Sequence, residues 1–217
     1  MSIVWLVRHA ESQANAGGRT TNPAEIEITS RGQEQARHVA YLISQPPQLI
    51  ITSPYLRTKQ TAWPLIERFP NVRQAEWPVY EFTYLAPERC QNTTAQERQP
   101  LVTEYWKRND PSYVDGSGAE SFADLLTRTE RLIADLKPLE NDFVIIFSHG
   151  QFIRTLLWRL LSGSTEISAP AMKQCRNFMT SFELPNSAIV KLHLESEQKV
   201  WISSVESQHI PSELLTL

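Results

Sequence analysis

The chain has few of the residues that would indicate a secreted, metal-binding or nucleic-acid-binding protein. Among 217 residues there are two cysteines, Cys90 and Cys175, too few for a disulfide framework and without metal-ligand spacing to the five histidines. We interpret both as reduced thiols. The formal net charge of -3 provides no field that would attract nucleic acid or an anionic membrane. The composition therefore predicts no metal and no nucleic-acid partner, and any anion-binding site must be local.

Long apolar runs are also missing. The run over residues 3–7 is ended by Arg8 and His9, with no basic segment before it and no cleavage site after it. This pattern argues against a signal peptide or membrane span and favours a cytoplasmic protein without a membrane partner. Hydrophobic residues still make up 41% of the chain, so we expect one well-buried core and a single domain over residues 1–217.

Short strand-like runs alternate with helical patterns along the chain. Runs typical of strands occur at residues 3–7, 49–51, 77–82, 143–147, 188–194 and 200–205. Apolar residues at helical spacing predict helices at about 29–44, from Pro54 onward, 95–108, 120–137 and 150–161. The alternation predicts a layered α/β fold with six strands, in which ligands bind beyond the carboxyl ends of the strands.

Three other segments carry separate expectations. Pro64 is expected to kink or restart its helix, and the tail after Ser207 is expected to be peripheral. Residues 83–119, rich in proline and glycine, are expected to form an insertion or cap over the sheet that determines specificity. The aromatic residues in and beside it favour the core of the insertion over a ligand pocket; they are Phe82, Tyr84, Tyr105, Trp106 and Tyr113.

Charged side chains follow three of the predicted strands. Arg8 and His9 end the first strand, and His149 follows the strand at 143–147. Arg57 lies one turn into the helix that follows the strand at 49–51. If these strands are neighbours, the side chains face one crevice at the carboxyl edge of the sheet.

This set of residues suits phosphoryl transfer. A guanidinium offers paired donors to phosphoryl oxygens, which fits Arg8 and Arg57. Cations beside His9 disfavour its protonated form and leave a ring nitrogen free to attack phosphorus. We expect His149 to be protonated and to donate to the phosphoryl oxygens when the dianion is bound. The sequence thus predicts a phosphohistidine at His9.

The same residues belong to a longer pattern. It consists of Arg8-His9-Ala10-Glu11-Ser12 with Asn15, Ser53-Pro54 with Arg57 and Gln60-Thr61-Ala62, and Ser148-His149-Gly150. The pattern resembles the histidine phosphatase superfamily, which includes the phosphoglycerate mutases. The resemblance implies a three-layer α/β/α sandwich with a mostly parallel central sheet, a phosphorylated His9, and a phosphate pocket of Arg8, Arg57 and His149. It also implies phosphate contacts at Asn15 and Gly150.

Two positions depart from that family's pattern. Ala10 replaces the usual glycine, so the backbone must turn without a residue that readily takes positive φ. The acidic proton donor falls in the segment that begins at Glu81, which lacks the longer pattern of the mutases; Glu88 and Glu76 are the alternatives. We expect Glu81 to protonate the leaving alkoxide and then to activate water.

These inferences predict a metal-independent phosphomonoesterase without a cofactor, acting on a small phosphorylated metabolite or a phosphoprotein. Phosphoglycerate mutase-type transfer and a non-catalytic phosphate-recognition module are the alternatives. His38, His193 and His209 receive no role, and no oligomeric state is predicted. Lys59 and Arg154 would widen the positive field, although exposed positions are the expectation for both.

Overall fold

A six-stranded sheet forms the centre of the protein. The computed structural model describes residues 2–139, 142–195 and 199–217. The strands are β1 (Ser2–Arg8), β2 (Leu49–Thr52), β3 (Arg73–Glu76), β4 (Phe143–Ser148), β5 (Ile189–Glu195) and β6 (Lys199–Ile202). Their order in the sheet is β3-β2-β4-β1-β5-β6. The pairs β3–β2, β2–β4 and β4–β1 are parallel, whereas the pairs β1–β5 and β5–β6 are antiparallel. The expected mostly parallel sheet is confirmed.

Helices cover both faces of this sheet. They are α1 (Ser30–Leu42), α2 (Leu56–Arg68), α3 (Pro87–Cys90), α4 (Gln99–Arg108), α5 (Phe122–Leu136), α6 (Gly150–Ser162) and α7 (Ala169–Ser181), followed by a 3-10 turn at Ser212–Leu214. Alternate strand residues face opposite layers. Val7 and Ile145 pack with α1 and α2, whereas Leu6 and Ile146 pack with α5, α6 and α7. The three-layer arrangement is thus confirmed.

Side-chain caps begin two helices that lie next to the site. Thr29 accepts a hydrogen bond from the Gly32 amide at 3.0 Å, which starts α1 where the sequence predicts it. Ser121 and Asp124 form a reciprocal capping box at the start of α5. Helix α2 continues through Pro64 as one unbroken element, so the helix does not restart there.

One strand lies elsewhere than the sequence predicts, and helix α7 has no predicted counterpart. The third strand is β3, not residues 77–82, because the ladder with β2 ends where the Trp77 amide donates to the Thr52 carbonyl. Its expected position at a sheet edge is confirmed. Helix α7 was not predicted; only Ala171, Met172, Cys175 and Met179 are buried along it, a sparse apolar pattern for a helix.

The tail after Ser207 is not peripheral. Ile210 is 5% exposed, and the Asn186 amide donates to the Thr216 carbonyl at 2.8 Å. Short polar segments without periodicity do not reveal such contacts, since they depend on distant partners. Within the ranges that the structure describes, none of the helices is long and apolar enough to cross a membrane.

Candidate active site

The strand ends bring the two predicted histidines together. Strands β1 and β4 are neighbours, and their register pairs Arg8 with Ser148, so His9 and His149 leave the same edge of the sheet. Their ring centroids are 5.2 Å apart. Arg57, in the first turn of α2, places Nη2 at 3.0 Å from Nδ1 of His149. The expected convergence of three strand ends is present.

A backbone carbonyl fixes the tautomer of His9. Its Nδ1 lies 2.8 Å from the Ala10 carbonyl oxygen, which can only accept, so Nδ1 carries the proton and Nε2 holds the free lone pair. No residue that the structure describes forms a hydrogen bond with Nε2. Burial, then the charges of Arg57 and Arg8, hold the pKa of His9 well below its ordinary 6.5. The imidazole is therefore neutral and available for attack.

His149 lies beneath the cavity with both ring nitrogens engaged. A guanidinium cannot accept, so Nδ1 accepts from Arg57 and Nε2–H donates to Ser53 Oγ at 2.7 Å. Burial and the charge of Arg57 hold the pKa of His149 well below 6.5. In the ligand-free protein it is therefore neutral, and protonation would require Arg57 to leave Nδ1.

Arg8 and Arg57 place two buried positive charges at the cavity. Burial lowers the pKa of each to about 10, so both stay protonated at neutral pH. Arg8 Nη1 donates to the Leu184 carbonyl, and Arg57 Nη1 donates to the Pro23 carbonyl at 2.7 Å. Over the described part of the chain, neither forms an ion pair with a carboxylate. An anion in this cavity would supply the missing charge.

Glu81 is the acidic residue that reaches the cavity. Its Oε1 accepts from three backbone amides, those of Phe82, Gln151 and Phe152 at 3.1, 3.0 and 3.3 Å. The last two amides lie in the first turn of α6. This leaves Oε2 as the oxygen available for proton exchange. The alternatives Glu76 and Glu88 are exposed, and Glu76 pairs with Lys59 at 2.7 Å.

Asn15 faces the cavity from the loop that follows β1. Its Oδ1 accepts from Ser12 Oγ at 2.8 Å and from Asn186 Nδ2 at 3.3 Å. Its Nδ2 forms no hydrogen bond with a described residue, and Asn15 lines the cavity. Asn15 is thus at the cavity, and a phosphate contact there stays a prediction.

Gly150 opens α6 without lining the cavity. A Cβ atom there would lie 3.1 Å from Arg154 Nη1 and 3.4 Å from Arg8 Nε, so the glycine leaves space for both guanidinium groups. Arg154 is half-buried instead of exposed, and its Nε donates to the Phe182 carbonyl at 2.7 Å.

Ala10 fits its position without backbone strain. In the described ranges, the non-glycine residues with positive φ are Asn92, Asn109 and Ser187, so Ala10 does not need the conformation that favours glycine. Its amide donates to Thr61 Oγ1 at 3.0 Å, and the residue is fully buried. The strained residue near the nucleophile is Ser187, with φ of 61°.

The cavity has a volume of about 260 Å³ and extends over residues 82–98. All five aromatic residues singled out from the sequence belong to the core cluster or pack against it, as expected. Phe82 and Tyr84 also line the cavity. The wall residues that sequence reasoning missed include Tyr55 and Arg98. Tyr55 stands between Ser53 and Arg57 in a segment already singled out, which is the signal that would have revealed it.

A buried ion pair supports the wall around Glu81. Arg128 Nη2 contacts Glu120 Oε1 at 2.6 Å, and both side chains are about one-tenth exposed. Glu120 also accepts from the Thr83 amide at 3.0 Å, and Arg128 donates to the Tyr80 carbonyl at 3.1 Å. The pair thereby ties the two ends of the segment around Glu81 to α5. Within the described residues no cluster of three or more His, Cys, Asp or Glu residues has the arrangement of a metal site.

The fold and this pocket define a class: a three-layer α/β protein with two imidazoles, and two arginines that form no ion pair with a described residue, at the carboxyl edge of a mostly parallel sheet. The family model of the histidine phosphatase superfamily (branch 1) matches residues 4–205. The chain belongs to that superfamily.

Named relatives of this chain include phosphatases. It is 26% identical to the adenosylcobalamin/alpha-ribazole phosphatase of Escherichia coli over 175 residues, 75% of this chain and 81% of that protein. It is 25% identical to phosphoserine phosphatase 1 of Hydrogenobacter thermophilus over 197 residues, 90% of this chain and 88% of that protein. A mutant phosphoserine phosphatase from Entamoeba histolytica, solved with phosphoserine, is similar in structure: TM-score 0.74, 25% identity, covering 97% of this chain and all of that one.

Proposed function

We propose that this protein hydrolyses phosphomonoesters through a phosphohistidine at His9, without a metal ion. The observation that carries the proposal is the tautomer of His9, whose lone pair on Nε2 faces a cavity flanked by Arg8 and Arg57. Nε2 attacks phosphorus, the bond from phosphorus to the ester oxygen breaks, and the leaving alkoxide takes a proton. Water then attacks phosphohistidine, which releases inorganic phosphate and restores the neutral imidazole.

The arginines hold the phosphoryl oxygens during both steps. Arg8 retains free donors beside its contact with the Leu184 carbonyl, and Arg57 retains them beside its contacts with the Pro23 carbonyl and His149. Their charge is available because neither forms an ion pair with a described residue. A bound dianion would compete with Nδ1 of His149 for Arg57. Once released from that bond, His149 can take up a proton and donate to the same anion, which gives it the role expected from the sequence.

Glu81 acts as the acid and then the base. Because three amides bind Oε1, the carboxyl group has one orientation, and Oε2 gives its proton to the leaving alkoxide. As a carboxylate it then removes a proton from the attacking water. Such help contributes a factor of about 10² to 10⁴ in rate.

We propose that residues 83–119 cap the cavity and select a small phosphorylated metabolite. Arg98 lines the cavity on this segment, and its Nη1 donates to the Thr93 carbonyl at 2.7 Å without an ion-pair partner in the described chain. Arg8 and Arg57 balance a phosphate dianion, so Arg98 favours a substrate with one further anionic group. Phosphoserine, bound in the Entamoeba structure, has such a carboxylate.

The decisive experiment measures hydrolysis of 4-nitrophenyl phosphate in excess EDTA. We expect full activity in the native protein and none above background in His9→Ala, with His193→Ala as a matched control because His193 lies on β5, away from the cavity. Loss of activity with EDTA, or its survival in His9→Ala, would refute the mechanism. Quenching in alkaline denaturant with a ³²P-labelled substrate should trap label on native protein and not on the His9 variant, because the N–P bond of phosphohistidine survives base and is hydrolysed by acid.

Hydrolysis and mutase-type transfer give different products. With 3-phosphoglycerate as substrate, we expect release of inorganic phosphate and no 2-phosphoglycerate. Isomerisation without phosphate release would replace the hydrolase with the mutase alternative while leaving the phosphohistidine in place.

A further inference from the structure

The C-terminal tail, residues 206–217, lies behind the nucleophile loop, residues 8–15. A β-bridge between Ile189 and Glu206 begins the contact. The tail then runs past the turn at Asn186 and Ser187, which lies directly behind His9. It reaches this loop by two routes, one through Gln35 and one through Asn186.

The first route passes through Gln35 of α1, which is fully buried. Its Oε1 accepts from the Glu11 amide at 2.7 Å. Its Nε2 donates to the Leu214 carbonyl at 2.6 Å and to Thr216 Oγ1 at 2.9 Å. The tail thus fixes the orientation of the amide that holds the loop at Glu11.

The second route passes through Asn186, also fully buried. Thr216 Oγ1 donates to Asn186 Oδ1 at 3.1 Å, and the Thr216 carbonyl accepts from the Asn186 amide at 2.8 Å. Asn186 Nδ2 donates to the His9 carbonyl at 3.1 Å and to Asn15 Oδ1 at 3.3 Å. One side chain thereby holds both the nucleophile and the predicted phosphate contact.

The hydroxyl of Thr216 joins the two routes. It accepts from Gln35 and donates to Asn186, a combination that a hydroxyl provides and a methyl group does not. Without it, the Gln35 amide N–H and the Asn186 amide oxygen would each lose a partner in a buried setting. Both amides would then reorient, and their contacts to the loop would change.

The tail also stabilises a strained turn. Ser187 has φ of 61°, and its amide donates to the Arg8 carbonyl at 3.1 Å. Its carbonyl accepts from Nε2 of His209 at 3.0 Å. A residue in this conformation persists where its surroundings determine it, and here His209 and Thr216 supply contacts on both sides of the turn.

We infer that the tail is a positioning element of the active site and that Thr216 is its positioning residue. Thr216 would set where His9 Nε2 and the Asn15 amide stand relative to the phosphoryl group, without touching substrate. The inference rests on the proposed role of His9 as nucleophile. A misplacement of about 1 Å at a reacting atom lowers a rate by roughly 100-fold.

The test compares Thr216→Val with Thr216→Ser on 4-nitrophenyl phosphate. We expect the valine variant to lose about 10-fold or more in kcat, and the serine variant, which retains the hydroxyl, to stay near the native rate. The inhibition constant for inorganic phosphate should change less than about threefold, because Arg8 and Arg57 remain. Thr127→Val is the control, since the exposed Thr127 hydroxyl bonds only to Ala123 in its own helix.

A second pair of variants tests the same claim if Thr216→Val does not fold. A chain ending at residue 215 loses the Thr216 contacts, whereas one ending at 216 loses only Leu217, which is 69% exposed. We expect lower kcat in the first and native kcat in the second, with rates normalised to folded protein by circular dichroism. This comparison decides the question if the valine variant does not fold.

The outcomes separate two claims. Native kcat in Thr216→Val, or an equal loss in valine and serine variants, overturns the positioning role. If His9→Ala is inactive while Thr216→Val matches the native enzyme, that role alone fails. If His9→Ala remains active, the proposed function fails.

Discussion

Acid should destabilise this protein through its two buried imidazoles. Burial and neighbouring arginines hold the pKa values of His9 and His149 well below 6.5, so both stay neutral in the folded chain as the pH falls. In the unfolded chain each binds a proton below 6.5. The unfolded state therefore binds more protons, and the free energy of unfolding falls as the pH is lowered.

The size of the effect follows from proton linkage. Between pH 7.5 and 5.5, one imidazole that stays neutral in the folded state removes about 1.4 kcal/mol of stability, and the pair removes about 2.7 kcal/mol. The stabilisation is fully present above the unfolded pKa and is lost below it. His209, whose pKa burial also lowers, adds a term of the same sign that every variant below retains.

Urea unfolding at the two pH values measures the effect. Glutamine does not titrate, so His9→Gln should reduce the native loss of stability by about 1.4 kcal/mol, and the double variant with His149→Gln by about 2.7 kcal/mol. Carboxylates titrate in all three proteins and cancel in the comparison. Equal losses in the native protein and the double variant would show that these imidazoles take up protons in the folded state, which would refute the reasoning.

Three more predictions follow from single contacts. Glu81→Gln should lower kcat/KM for phosphoserine by about 10² to 10⁴ but that for 4-nitrophenyl phosphate by less than about 10, since an aryl oxide leaves without protonation; equal slowing would contradict the acid role. Ser187→Gly relieves a positive φ and removes a buried hydroxyl that has no partner in the described chain, so thermal unfolding should show about 1 kcal/mol more stability; a lower melting temperature would count against strain. Arg98→Gln should lower kcat/KM for phosphoserine about 10-fold or more while leaving propyl phosphate within about threefold, and uniform losses would argue against an anionic group at Arg98.

The sequence predicts the parts of the fold that rest on local periodicity. The apolar runs that became β1, β2 and β4 are buried on both faces, so their composition alone identifies them as central strands. Because these polar side chains follow the carboxyl ends of neighbouring strands, the convergence of Arg8, His9, Arg57 and His149 was also predictable. The displaced β3 strand is different: none of its four side chains is fully buried, so a short edge strand carries little apolar signal.

Features that depend on contacts between distant residues could not be predicted. The protonation of His149 is one, because the geometry of Ser53 and Arg57 around the ring decides which nitrogen carries the proton. The tail is another, since the partners of Thr216 lie about 30 and 180 positions away in sequence. Motif spacing identifies the residues proposed to bind substrate, whereas the residues that hold them in place can be identified only from the packing of the folded chain.

The electrostatics of the free site and its proposed chemistry have a common cause. Burial lowers the pKa of His9, and two buried guanidinium groups without an ion-pair partner in the described chain lower it further, which keeps the imidazole neutral. The positive charge of Arg8 and Arg57 also favours binding of a phosphate dianion. Once the dianion is bound, the site no longer disfavours a protonated imidazole, and His149 can take up a proton. Adding a carboxylate beside Arg57 would satisfy the arginine but raise the pKa of His9 and reduce its neutral fraction. The proposed mechanism therefore requires that these arginines lack an ion-pair partner, as they do among the described residues.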